Sequence, residues 1–412
     1  MLNNLFHLGL SLLVFYSIAF LMSGEKRSIK KLNIVRGFLL QFFLAFLILK
    51  IPAITQFFIF IGQMLASVSE STLKATSFMF GKLGDHKSNG NIGFILAIHG
   101  MPILIVIGAI SALLMRWKIL PILIKGFSCM FRKALRIGGT IGLGVSANIF
   151  TGMSETPLIV KSYLKHLTKS ELFSLMVCGA AGVSSSVMML YSIILDPVIP
   201  HSLSHIISAA LISVPGAITI SRIIVPEKHF DKITEAGDVE TRKYDSTLDA
   251  LYSGIIDGGK VMIKVILMLI AFVALIDVIN SIFAYFTPSQ MAPVTIQTLL
   301  GYLMSPVAWI VGIPWNEAVK VGSLLGTKFV LNEIIAFTEL VKVAPDLTIK
   351  SRMVSLYALS SFANIGSIGV MIGVYTALVE KRKLEILEFG MKAVIAGSLV
   401  NYINAAIINV LM

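Results

Sequence analysis

Apolar runs long enough to cross about 30 Å of hydrocarbon recur near residues 5–22, 35–51, 92–114, 170–195, 203–225, 259–286, 352–378 and 391–411. They predict eight transmembrane helices. Two further segments are apolar but interrupted. Residues 138–168 carry Gly138, Gly139, Gly142, Gly144 and Gly152, with Pro157 just behind Glu155; residues 312–345 carry Gly322 and Gly326 ahead of a second acid, Glu333. Neither suits a continuous spanning helix, and irregular backbone at membrane depth survives only where protein or water covers it. Both are expected to be re-entrant hairpins.

Each hairpin leads into a helix interrupted by small residues, "SLMVCGAAGVSSSVMMLYSII" (174–194) and "SLYALSSFANIGSIGVMIGVY" (355–375). One plan therefore occurs twice, from about 118 and from about 293: an interfacial helix, a broken hairpin with an acid, an interrupted helix and a further helix. One spanning helix (259–286) and the interfacial segments lie between the copies, so the hairpins should enter from opposite faces. That is the inverted-repeat pattern of secondary transporters, whose sites lie near the midplane between broken elements. The expected divisions are scaffold helices 1–3 in 1–115, with an external interfacial helix at about 54–80; a first repeat in 116–225; a cytoplasmic loop and helix 6 in 226–290; and a second repeat in 291–412.

Composition agrees. With 56% hydrophobic and 14% charged residues and a mean hydropathy of +0.87, the chain is far more apolar than a soluble domain, where about 25% of residues are charged. The net charge of +12 does not point to nucleic acid, because the Lys and Arg sit in the short connections 24–36, 116–136, 226–250 and 380–383. Placing all four in the cytoplasm satisfies the positive-inside rule and leaves both termini outside. The first run lacks a basic leader and a small-residue cleavage site, so it is kept as a mature helix. Cys129 and Cys178 lie in apolar surroundings and read as small hydrophobes. His201 and His205 stand at i, i+4 without a third metal ligand nearby. Ser184, Ser185 and Ser186 have no His in the same repeat, so no nucleophile pairs with a base and an intramembrane enzyme is not expected.

An ionised carboxylate at the bilayer centre costs roughly 2.5–3.5 kcal/mol on insertion scales, so Glu155 and Glu333 need a polar cavity, a partner or a proton. A structural ion pair with Lys161 or Lys328 is one solution. A binding site is the other, and the recurrence of an acid at matching places in both copies favours it.

The segments "GMSETPLIVKSYL", "GTKFVLNEIIAF", "SFANIGSIG", "LIAFVALIDVIN" and "LLGYLMSPVAWIVGIPWNEA" resemble the concentrative nucleoside transporter family, including its bacterial nucleoside permeases. The family patterns read approximately GQTEAPL, GxKxxxNEFVAY and GFANFGSIG, and the matches keep the family's order over nearly the whole chain. The resemblance implies an all-α polytopic membrane protein with eight transmembrane helices and two re-entrant hairpins in inverted repeats. It also implies a homotrimer in the cytoplasmic (inner) membrane that imports nucleosides by an elevator mechanism. Helices 1–3, the interfacial helix and helix 6 would form the scaffold, and the hairpins with their broken helices the mobile part. Carried over by position, Glu333, Asn364 and Ser367 would contact the ribose, and Gly152, Met153, Ser154, Glu155 and Val187, with Phe362 nearby, would surround the base. A carboxylate suits ribose, since it accepts from two hydroxyls through charge-assisted bonds, and an aromatic face suits a planar base.

No organic cofactor is implied; the coupling ion is Na+ or H+. The family's cation site would use the Asn148 side chain, the Thr151 and Val183 carbonyls, and a hydroxyl at position 182. Here that residue is Gly182. One oxygen is missing, and Ser184 or water could replace it. Retained Asn148 tilts the choice towards sodium; protons would require Glu155 or Glu333 to titrate. Met153 stands where the family has a Gln that bonds the base, and a thioether is a weak acceptor. A pyrimidine preference therefore does not transfer, and purine nucleosides become plausible. Ile334 and Ile335, in place of Phe-Val, read as packing variation. The alternative on the same fold is a passive nucleoside or ion pore without coupling.

Overall fold

The computed structural model describes residues 2–84, 93–228, 244–286 and 294–412. Helices α1 (Leu2–Leu21), α2 (Lys31–Lys50) and α3 (Pro52–Phe80) come first. A short π-helical segment, Leu96–Gly100, leads into α4 (Ile103–Arg116). Of the expected 226–250 loop, residues 229–243 lie outside the described residues, as do 287–293 before the second copy and the start of the 92–114 run.

The first repeat is α5 (Ile119–Leu135), α6 (Gly139–Thr151), α7 (Thr156–Ile159), α8 (Lys169–Ala181), α9 (Ser185–Leu195) and α10 (Ser202–Ile224). Then comes α11 (Thr247–Phe286). The second is α12 (Ile296–Ile310), α13 (Trp315–Val330), α14 (Glu333–Val343), α15 (Ile349–Leu359), α16 (Ile365–Leu378) and α17 (Lys383–Leu411). Both expected hairpins are helix–turn–helix units, α6–α7 and α13–α14, and both interrupted helices are broken, at 182–184 and 360–364. Helices α12 and α13 bend by 116° where the chain enters the second hairpin.

Eight helices among the described residues are long and apolar enough to span a bilayer, but they are not the expected eight. The run 352–378 is two short helices, because Ser360–Asn364 interrupts it. Helix α3, expected at an interface, is long and apolar enough to span.

Burial sorts the helices. In the most apolar stretches of α8–α9, α10 and α17, 89% of residues are buried, against 11% in α11. A helix apolar all round yet uncovered by protein faces lipid, so α11 is peripheral, while α8–α10 and α17 are central. Helix α11 packs against α4 through Gly254 and Gly258; a Cβ on either would stand 2.5–2.6 Å from the carbonyl oxygens of Leu104 and Gly108. Small residues let membrane helices approach this closely. Within the core, Gln41 of α2 donates to Asn404 of α17 (2.7 Å), which donates to Ser213 of α10 (2.9 Å). Cys178 is buried as expected, but Cys129 is exposed, because it lies on the outer face of the amphipathic α5.

Candidate functional site

Helix α14 begins at Glu333 because Asn332 caps it, its Oδ1 accepting from the Ile335 N–H at 2.9 Å. The partial positive charge of a helix N-terminus favours an anion there. Glu333 is only 4% exposed. Tyr191 of α9 donates its hydroxyl to Oε1 at 2.6 Å, and Asn364 donates from Nδ2 to Oε2 at 2.9 Å. Asn364 also caps α16, accepting from the Ser367 N–H at 2.8 Å. Glu333, Asn364 and Ser367 are thus joined, and Tyr191 ties them to the other repeat.

A carboxylate has about four lone-pair positions; two side-chain donors and the residue's own backbone N–H act on them. Nearby in hairpin two, Lys328 Nζ and Asn332 Nδ2 are buried without a hydrogen bond, and the Lys328 charge acts on Glu333. Lys161 is exposed. Neither lysine hydrogen-bonds Glu333, but the buried Lys328 supplies an opposite charge to it, so the ion-pair alternative is retained in part.

The first hairpin turns at Gly152, whose φ of +80° is a region L side chains rarely adopt. A Cβ on Gly152 would meet Ser184 Cβ at 2.6 Å and Phe362 Cε2 at 3.5 Å. The hairpin tip and both helix breaks therefore meet at one place. The Phe362 N–H donates to the Gly182 carbonyl at 3.1 Å, binding break to break across the repeats. Phe362 is half-buried, Val187 is buried one turn before Tyr191, and Met153 is buried with its Cβ against Gly179.

Glu155 departs from the expectation of two buried acids: it and Ser154 keep accessible surface at the turn, while the surrounding protein still crowds its carboxyl, which also faces the like charge of Asp257 on α11. The two acids are not equivalent, since Glu333 is held by the Tyr191 and Asn364 donors.

The residues expected around a cation lie between the ends of α6 and α8. Asn148 is 2% exposed, and its Nδ2 donates to the Cys178 carbonyl at 2.7 Å. Thr151, Gly182 and Val183 are buried beside it. The Asn401 amide of α17 donates to the last carbonyl of α8, that of Ala181, at 3.3 Å. The available donors are amide, hydroxyl and carbonyl oxygens, which suit a hard cation. Among the described residues no three His, Cys, Asp or Glu side chains gather into a metal site; His205 Nδ1 instead lies 3.2 Å from Tyr357 OH.

Sequence reasoning missed Tyr191 and Thr156. Tyr191 was hidden in an apolar run, though its i+4 spacing from Val187 put it on the same helix face. Thr156 stands where GQTEAPL has Ala, a departure visible in the motif itself.

Two family profiles match the chain, "Na+ dependent nucleoside transporter N-terminus" over residues 10–83 and "Na+ dependent nucleoside transporter C-terminus" over 205–409. The nucleoside permease NupC of Helicobacter pylori is 31% identical over 96% of this chain and 94% of its own. Among solved structures, CNTnw in an inward-facing substrate-bound state superposes with a TM-score of 0.90 at 33% identity, covering 98% of both chains. A variant of CNTnw in an outward-facing state gives 0.91 at 32%, covering 100% of this chain and 98% of the other.

Proposed function

The chain belongs to the Na+-dependent nucleoside transporter family, and on that premise we propose that it is a symporter importing nucleosides across the cytoplasmic membrane. The observation that carries this reading is Glu333: a buried carboxylate with each oxygen held by one protein donor and acceptor capacity left on both. Vicinal ribose hydroxyls supply two donors at matching spacing. Asn364 and Ser367 flank the sugar, while Phe362, Val187, Gly152 and Met153 form a mostly apolar pocket for the base, with Ser154 and Glu155 at its open edge. With Met153 in that wall, purines are accepted as well as pyrimidines.

The coupling ion is sodium, held near Asn148 with the Thr151 and Val183 carbonyls. One monovalent cation moving down 100 mV contributes about 2.3 kcal/mol, and a tenfold gradient adds about 1.4. One ion per nucleoside then sustains accumulation of several hundred-fold, on the order expected from those two terms.

Movement is of the elevator type. The bonds from Tyr191 to Glu333 and from Phe362 to Gly182 join hairpins and broken helices across the repeats, which favours their moving as one body. Helix α11, with α1–α4, forms the static part, and α3 lies outside the bundle at the interface. The assembly is a homotrimer with its termini outside.

The test is uptake of labelled nucleosides into proteoliposomes under imposed sodium and then proton gradients. Uphill accumulation that follows sodium is expected. Equilibration without accumulation would replace the symporter with a passive pore, and accumulation that follows protons alone would transfer coupling to a titrating carboxyl.

A further inference from the structure

The hydroxyl missing at position 182 has a counterpart across the site. Thr156, 1% exposed at the start of α7, places Oγ1 3.1 Å from Thr151 Oγ1 and 3.3 Å from Asn148 Oδ1. Both hydroxyls also have backbone acceptors one turn earlier: Thr151 donates to the Ala147 carbonyl at 3.0 Å, and Thr156 to the Gly152 carbonyl at 2.7 Å. The shorter Thr156 contact is the one to Gly152, so that carbonyl takes its proton. The Asn148 amide is oriented by its bond to the Cys178 carbonyl, which leaves Oδ1 towards the Thr156 hydroxyl.

Thr156 Oγ1 thus stands within hydrogen-bond distance of both the Thr151 hydroxyl and Asn148 Oδ1, gathering three buried oxygens in one place. The bond to Asn148 Oδ1 is long, and a cation entering the cluster would take it over. The spacing suits one: for cation–oxygen distances of about 2.4 Å, ligands at right angles lie about 3.4 Å apart.

Gly182 belongs to the same arrangement. A Cβ there would come within 2.3 Å of Asn148 Nδ2, so the amide occupies the space that a serine side chain would fill. A hydroxyl on the α8 break and the present Asn148 conformation exclude each other, and Thr156 supplies the oxygen from the hairpin side.

We propose that Thr156, with Thr151 and Asn148, provides the side-chain ligands of a monovalent-cation site carried by the first hairpin, Thr156 replacing the hydroxyl that Gly182 lacks. This rests on the reading of the chain as a sodium-coupled transporter. It adds two hydroxyl ligands from hairpin residues and removes the need for Ser184.

The experiment uses the purified full-length protein in detergent, with equilibrium binding of radiolabelled sodium and sodium-dependent thermal stabilisation as readouts, potassium serving as the control. Thr156→Ala is expected to weaken sodium binding about tenfold or more, and Thr156→Ser to retain it. Gly182→Ser added to Thr156→Ala should not restore sodium affinity, since the new side chain would collide with the Asn148 amide that the Cys178 carbonyl still holds. Thr156→Val, isosteric and without the hydroxyl, carries the test if the alanine variant does not purify. Wild-type sodium affinity in Thr156→Ala or Thr156→Val would overturn the ligand assignment alone. Absence of sodium binding in the wild type, with nucleoside transport intact, would overturn the sodium reading and the site with it.

Discussion

Replacing Glu333 with Gln changes little volume but removes the charge and half of the accepting capacity at the proposed sugar site. In the wild type, Tyr191 and Asn364 each donate to a different carboxylate oxygen. A carboxamide presents one oxygen and one NH2, so one of these donors would face another donor. The proposed ribose hydroxyls would lose their anionic acceptor. Hydrogen bonds to charged groups contribute roughly 1.5–3 kcal/mol each, so losing two costs about 3–6 kcal/mol, or a hundred- to ten-thousand-fold in affinity. The fold should lose stability without being lost, because the buried Lys328 is left without its opposite charge and one donor without an acceptor. Isothermal titration of purified Glu333→Gln with a panel of nucleosides, beside a thermal melt without ligand, separates the two effects. A lowered but cooperative melt with undetectable binding is expected. Binding within threefold of wild type would refute the assignment of this carboxylate to the sugar and reduce it to a structural group.

Three further outcomes follow from the same contacts. Tyr191→Phe removes one charge-assisted bond to Glu333 and should weaken nucleoside affinity about tenfold or more, with sodium binding unchanged; equal loss of both in binding assays would indicate general disruption. Met153→Gln restores an amide at the base wall, so competition assays should show uridine gaining on adenosine; an unchanged ranking would place the base elsewhere. Asn404→Leu strands the buried Gln41 amide and Ser213 hydroxyl and should lower stability by about 1–3 kcal/mol; a melting temperature in detergent that is unchanged or raised would mean those groups find other partners.

What the sequence disclosed depends on the range of the interaction. The hairpins and broken helices were legible because their signals are local: glycines, prolines and small residues clustered within an apolar run. The acid in the second hairpin was legible because a charge at membrane depth is costly. The same argument was incomplete for Glu155, whose environment depends on where α7 begins and on what α11 presents to it about a hundred residues further along the chain. It also could not find Tyr191, 142 residues from the carboxylate it holds. An aromatic in an apolar segment carries no local mark of a polar duty, since its hydroxyl's partner is set by tertiary packing. The 352–378 segment reads both as a span and as an interrupted helix, and Ser360–Asn364 is where it breaks. Thr156 lies between these cases. Its hydroxyl was plain in the motif, but its relevance depends on Gly182, which sits 26 positions away and faces it through Asn148. A residue gained and a residue lost can be recognised as one exchange only once the fold has brought both to the same amide.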